Sequence, residues 1–320
     1  MDKIKTTKKV VSFGDLVADI ITYIPTLPAE AGKHQIATKV QIEPGGAGNF
    51  LIAGARIGLE MFSLGVLGKD TIGDAVLKIF EVEEINLGGI LLQPDGRTTS
   101  VVVLADQSGQ HVFLGEVGSG PIVELSDKWK EIIQGCDAFQ AWGYTFHEER
   151  LESAMREAIL YAKSLNKPVF FDPGPFMGDA SPEQRNFVLQ NCTVILMTED
   201  EVPFLTNGKK DIDFVQELLA FGPKMICVKR GPEGSVILTE DHKYEHQGYK
   251  VEVVDTSAAG DSFDAAFIYA FLQGWHPEKI CAFANAMGAA KVQKLGSGRQ
   301  VPTAVEVNDM LRKNNAGFKI

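Results

Sequence analysis

Residues 250–263 read KVEVVDTSAAGDSF. Val251, Val253 and Val254 around a single Glu predict a strand over 251–254. From Asp261 onward, Phe263, Ala266, Phe267, Ala270 and Phe271 recur at spacings of one, three and four, which places them on one helical face. Gly274 and Pro277 end that helix. Ser257, Ala258, Ala259 and Gly260 then form a bridge of small residues from strand to helix N-terminus. Unpaired backbone N–H groups and the positive end of the helix dipole converge at such a bridge, making it a ready anion site. Asp261 at the same point has two readings. It caps the helix, or it takes a proton from an attacking hydroxyl while backbone donors hold a transferring phosphoryl group.

Outward from this point the chain alternates short apolar runs with helix-like segments. Runs at 10–13, 62–66, 138–142, 169–171, 194–197, 225–228 and 235–238 predict buried strands. Between them, 149–165 and 212–221 are amphipathic; Leu151, Met155, Ile159 and Ala162 share one face of the first. Such alternation predicts a three-layer α/β/α sandwich around a mostly parallel sheet. Two stretches break the rhythm. Residues 20–42 carry Pro25 and Pro28 among short β-like pieces, and 98–115 reads as two strands, 99–105 and 110–114, joined by the turn DQSG at 106–109. With no linker or internal repeat, the expectation is one domain over 1–320 with a small β lid from about 17–43 and 91–117.

The bulk numbers bound the function. A formal net charge of −11 argues against nucleic acid as a partner. Cys136, Cys192, Cys227 and Cys281 form no CxxC pair and read as free thiols of a reducing compartment. The polar start and the lack of a long apolar run predict no membrane span and make cytoplasm the default. GVLGK at 65–69 lacks Walker A spacing, which disfavours a P-loop kinase. His242 and His246 read as surface histidines rather than metal ligands.

The stretch DTSAAGDSF at 255–263 resembles the C-terminal signature of ribokinase-like (PfkB-type) carbohydrate kinases, D-T-x-G-A-G-D-x-F. Asp255, Thr256, Ala259, Gly260, Asp261 and Phe263 match, and Ala258 replaces the usual first Gly. The resemblance implies that Asp261 is the catalytic base and that the Ala258, Ala259 and Gly260 backbone forms the anion hole. PGGAGN at 44–49 resembles the family's N-terminal signature, implying that Gly45, Gly46 and Asn49 bind a sugar; Asp15, after the first strand, resembles its substrate-binding Asp. VKRGPEGS at 228–235 resembles the Gly-x-x-Gly loop near ATP, which implies nucleotide contacts for Lys229, Gly231 and Gly234, joined by Thr256 and by Asn285 of AFANAMG at 282–288. Glu201 of MTEDE matches the family's N-x-x-E, a water-mediated Mg²⁺ residue, with Thr198 in the Asn place. DPGP at 172–175 resembles a loop usually reading D-x-N, with Gly174 as the departure. A monovalent cation, K⁺, is also implied near Asp255, Ser257 and the 295–299 loop.

The resemblance thus implies ATP- and Mg²⁺-dependent phosphorylation of a primary hydroxyl of a sugar or sugar acid, of the ribokinase, fructokinase or ketodeoxygluconate kinase type. The alternatives are a nucleoside kinase on the same fold and a non-catalytic sugar- or nucleotide-binding relative. Lids of this type can pair edge strands between subunits, so a homodimer through the lid is a further expectation.

Overall fold

The structure is a computed structural model describing residues 7–106 and 110–320. Gln107 to Gly109 of the expected turn lie outside those residues. In chain order the strands are β1 (Lys9–Phe13), β2 (Ala18–Tyr23), β3 (Lys39–Pro44), β4 (Glu60–Gly68), β5 (Ile90–Gln93), β6 (Ser100–Ala105), β7 (His111–Glu116), β8 (Ala138–Trp142), β9 (Val169–Asp172), β10 (Val194–Thr198), β11 (Met225–Lys229), β12 (Ser235–Leu238) and β13 (Lys243–His246). The helices are α1 (Ala47–Arg56), α2 (Thr71–Val82), α3 (Asp127–Gln134), α4 (Glu149–Ser164), α5 (Pro182–Asn191), α6 (Val202–Leu205), α7 (Ile212–Glu217), α8 (Ala259–Leu272), α9 (Pro277–Val292) and α10 (Ala304–Lys313).

Nine strands form one sheet in the order β13-β12-β11-β10-β9-β8-β1-β4-β5. Its pairs are parallel except β11–β12 and β12–β13. Successive strand side chains point to opposite faces, so continuous apolar runs feed two cores. Phe170, Val194 and Leu196 pack with α1, α8, α9 and α10 on one face. Phe171, Ile195 and Met197 pack with α3, α4, α5 and α7 on the other. This is the three-layer α/β/α sandwich expected. The cysteines are free and buried. No helix of the described residues is long and apolar enough to cross a membrane.

A second sheet, β3-β2-β6-β7, comes from the two stretches that break the alternation. Strand β5, within the span expected for the second lid segment, instead pairs with β4 in the large sheet. The expected strand at 251–254 does not form. The Val254 and Asp255 N–H groups donate to the Val292 carbonyl at the end of α9 (2.7 and 3.1 Å), so no neighbouring strand is available to them. The alternation is not realised in burial: Val251 packs on the helical core, while Val253 and Val254 both stay exposed.

Candidate active site

Helix α8 begins at Ala259, and its N-cap Ala258 makes no side-chain capping bond. Asp261, in the first turn, therefore does not cap. Its Oδ2 accepts from Asn49 Nδ2 (2.9 Å), and Asn49 Oδ1 accepts from the Gly298 N–H (2.6 Å). One amide thereby ties α1, α8 and the 295–299 loop together. Burial pushes the Asp261 carboxyl up to about 7; Asp172 and Asp19 add to the rise, while Asn49 and Lys229 oppose it. A carboxylate so tuned accepts a proton efficiently near neutral pH.

A cleft of about 790 Å³ runs from this turn along the ends of β10 and β11. Thr256, Ala259 and Gly260 form its inner end, Gly231 and Gly234 one wall, and Asn285, Gly288 and Ala289 of α9 another. Val251 and Val253 add an apolar side. Asn285 Nδ2 meets His246 Nδ1 and the His246 carbonyl, both at 3.1 Å. No group of three or more His, Cys, Asp or Glu side chains suited to a metal occurs among the described residues.

Beneath the anion turn lies a charge cluster. Lys229, 8% exposed, pairs with Asp172 (2.6 Å) and with fully buried Asp264 (3.1 Å). Burial works against its charge, but Asp172, Asp264 and Glu201 hold its pKa well above the ordinary value. Burial and Asp172 push the Glu201 carboxyl up to about 7, opposed by Lys229 and Thr198. Glu201 Oε2 accepts from the Thr198 N–H (2.7 Å) in a reciprocal capping box, so it stands behind the cleft wall that Thr198, Glu199 and Asp200 form.

On the other side of Asp261, β2 and β3 present Asp19 opposite Glu43. Asp19 Oδ2 accepts from Ser297 Oγ (2.7 Å), and Arg299 bonds both carboxylate oxygens of Glu43 (2.8 and 3.0 Å). Burial pushes Asp19 up to about 6, with Glu43 adding to the shift and Ser297 opposing it. Any side chain at position 45 collides with the Asp19 carboxylate, which accounts for Gly45.

Residues 7–304 match the pfkB family carbohydrate kinase model. The chain belongs to the pfkB family of carbohydrate kinases. It is an ATP-dependent phosphotransferase with an alcohol group as acceptor. It is 28% identical to a probable chloroplastic fructokinase-6 of Arabidopsis thaliana, over 95% of this chain and 82% of that one. It is also 28% identical to an ATP-dependent ribose-1-phosphate kinase of Halopiger xanaduensis, over 92% and 95%. In fold it is similar to an Arabidopsis thaliana ribokinase solved with ribose and ATP, with a TM-score of 0.82 at 24% identity and coverage of 96% and 99%.

In this kinase the nucleotide-side residues named from sequence, Lys229, Gly231, Gly234, Thr256 and Asn285, share one cleft with Ala259 and Gly260. Asp255 and Ser257 lie instead against the small sheet, near Tyr23. On the acceptor side Asn49 meets Asp261, and Gly45 and Gly46 lead into α1 beside Asp19. Asp15 faces Arg150 (3.7 Å) and Glu148, whose carboxyl burial and Asp15 push up to about 9. A carboxylate near Asp261 missed from sequence is Asp19; the signal available was an acid in an otherwise β-prone run at 18–23. Tyr144 was also missed. Although 39% of the residue is exposed, desolvation raises its phenol pKa, and Asp261, Asp172 and Glu201 raise it further. Its ring takes the space a side chain at Gly174 needs (2.8 Å to a Cβ), and Gly174 has φ 59°, ψ 173°, which explains that departure.

Proposed function

We propose that this kinase transfers the γ-phosphoryl group of ATP to a primary hydroxyl of a neutral sugar, with Asp261 as general base. The observation that carries this reading is the position of Asp261: a carboxyl tuned to about 7, bonded to Asn49 on the acceptor side and flanked on the other by the backbone of the cleft's inner end. The hydroxyl's proton passes to Asp261 as its oxygen attacks, and the N–H groups of the Ala258–Gly260 turn receive the charge on the phosphoryl oxygens. ATP lies along the cleft, its base between the Val251–Val253 side and α9, its phosphates at the Gly231 loop and the α8 N-terminus. Mg²⁺ supplies charge neutralisation on the phosphates when bound. Lys229 already neutralises Asp172 and Asp264, so among the residues of this cluster Glu201 fits it best, through water.

The acceptor end favours an uncharged polyol. Asp19, Glu43 and Asp261 gather there, and Arg299, which borders it, is held by Glu43. Carboxylates accept from vicinal hydroxyls and repel a phosphate or a carboxylate. The small sheet acts as the lid, and the apolar side chains exposed on its face away from Asp19, Val40, Val112 and Leu114, support a homodimer formed through it.

The test is Mg²⁺-dependent ADP release across aldoses, ketoses, sugar acids, sugar phosphates and nucleosides. A neutral aldose or ketose is expected to give the highest kcat/KM. A nucleoside or sugar acid as best acceptor contradicts the neutral-sugar reading.

A further inference from the structure

The resemblance implies a monovalent cation beside Asp255, Ser257 and the 295–299 loop, and the oxygen atoms there test whether one fits. Asp255 Oδ1 accepts from the Ser257 N–H (2.8 Å) and Oδ2 from the Gly296 N–H (2.7 Å), so both carboxylate oxygens hold backbone. The Asp255 carbonyl (3.3 Å) and the Lys294 carbonyl (3.0 Å) accept from Lys291 Nζ. Lys291 is 0% exposed, in the last turn of α9. A free cation and this ammonium compete for the same carbonyls, and the ammonium is covalently in place.

We propose that Lys291 is the tethered cation of this kinase: its ammonium holds the 255–260 turn against the 293–299 loop, and the enzyme needs no K⁺. An ammonium offers three donors to carbonyl oxygens with one positive charge. Burial lowers its pKa to about 8; Asp255 and Asp261 oppose that and Lys294 adds to it, which leaves it charged at neutral pH. The Lys294 charge is itself paired with Glu306 (2.9 Å). Lys291 thus places one positive charge behind the turn whose N–H groups face the cleft. The loop it fastens also carries Ser297, Gly298 and Arg299, the partners of Asp19, Asn49 and Glu43. The catalytic role of Lys291, though not its occupancy of the carbonyls, rests on the anion-hole reading above. Lys291 is a positioning residue, since it reaches the reacting groups only through these loops.

The experiment compares wild type with Lys291→Ala, which opens the space, in chloride salts of K⁺, Na⁺ or tetramethylammonium. Tm needs no acceptor; kcat is read with the best sugar of the panel. Wild type is expected to show the same Tm and kcat in all three salts. Lys291→Ala is expected to lose about 10²-fold in kcat in tetramethylammonium and to recover at least about tenfold, with a rise in Tm, when K⁺ or ammonium is supplied. A wild-type Tm that rises specifically with K⁺ overturns the proposal without reference to any acceptor, and so does a Lys291→Ala enzyme with unchanged kcat in tetramethylammonium. If Lys291→Ala does not fold, the wild-type salt series decides alone. Lack of turnover with any acceptor contradicts the proposed function instead, while the Tm series still tests Lys291.

Discussion

The Asp261 carboxyl binds its proton near pH 7 because burial penalises the anion and Asp172 and Asp19 repel it. As the proposed base it must be ionised, so kcat is expected to fall about tenfold per pH unit below about pH 7. Its folded pKa lies above the unfolded value, so between about pH 4 and pH 7 the folded chain binds the extra proton. The carboxyl therefore costs stability above pH 7, and the cost disappears as the pH falls toward 4. Asp261→Asn is expected to raise Tm at about pH 8 and to lose that advantage at about pH 4. An equal Tm difference at both pH values contradicts the shifted pKa. The neighbouring Ala258 holds φ 59° and ψ 11°, a left-handed conformation that costs a Cβ-bearing residue about 1 kcal/mol. Ala258→Gly is expected to raise Tm by about 2 °C, and a fall in Tm contradicts the strain. The usual Gly at this place thus has a visible backbone reason.

Among the elements, Lys229 joins the ends of β11 and β9 to α8 through Asp172 and Asp264. Lys229→Met leaves two buried carboxylates unpaired and is expected to cost about 3–5 kcal/mol in denaturant unfolding. Adding Asp264→Asn is expected to return part of it, since the two residues couple directly. A single variant within 0.5 kcal/mol of wild type, on the order of an ordinary surface change, contradicts the clamp. Strands such as β8 and β12 were legible to the residue because a strand buried on both faces shows an unbroken apolar run. Residues 251–254 were not, because a run of valines reports β propensity and not whether a strand partner is available, and here the Val254 and Asp255 N–H groups are taken by the Val292 carbonyl. Asp19 and the Lys229 cluster escaped for a different reason. Asp19 meets Glu43 and Ser297 only through β2–β3 pairing and loop closure, and Lys229 lies 57 and 35 positions from its partners. Local patterns carry no such information. Lys291 did leave a trace, a lone charge among the apolar residues ending α9.

At the scale of the molecule, two cores pack on opposite faces of one sheet, and the small sheet sets Asp19 and Glu43 against the 295–299 loop. On its face turned away from Asp19 the small sheet leaves Val40 (61%), Val112 (42%) and Leu114 (58%) exposed, a face that a second copy's lid can cover. Light scattering is expected to give a dimer, and Val112→Asp with Leu114→Asp to give a monomer. A wild-type monomer at micromolar concentration contradicts that assembly. The three-layer order followed from the strand–helix alternation, while the place of Asp19 opposite Glu43 and beside Ser297 needed the folded chain.

In the proposed reaction Asp261 acts on the proton of the acceptor hydroxyl and not on binding. The direct measurement is kcat for Asp261→Asn beside the calorimetric Kd of the variant and of wild type for the best acceptor. A kcat lower by at least about 10², with Kd changed by less than about threefold, is the predicted result. Near-normal kcat contradicts the account.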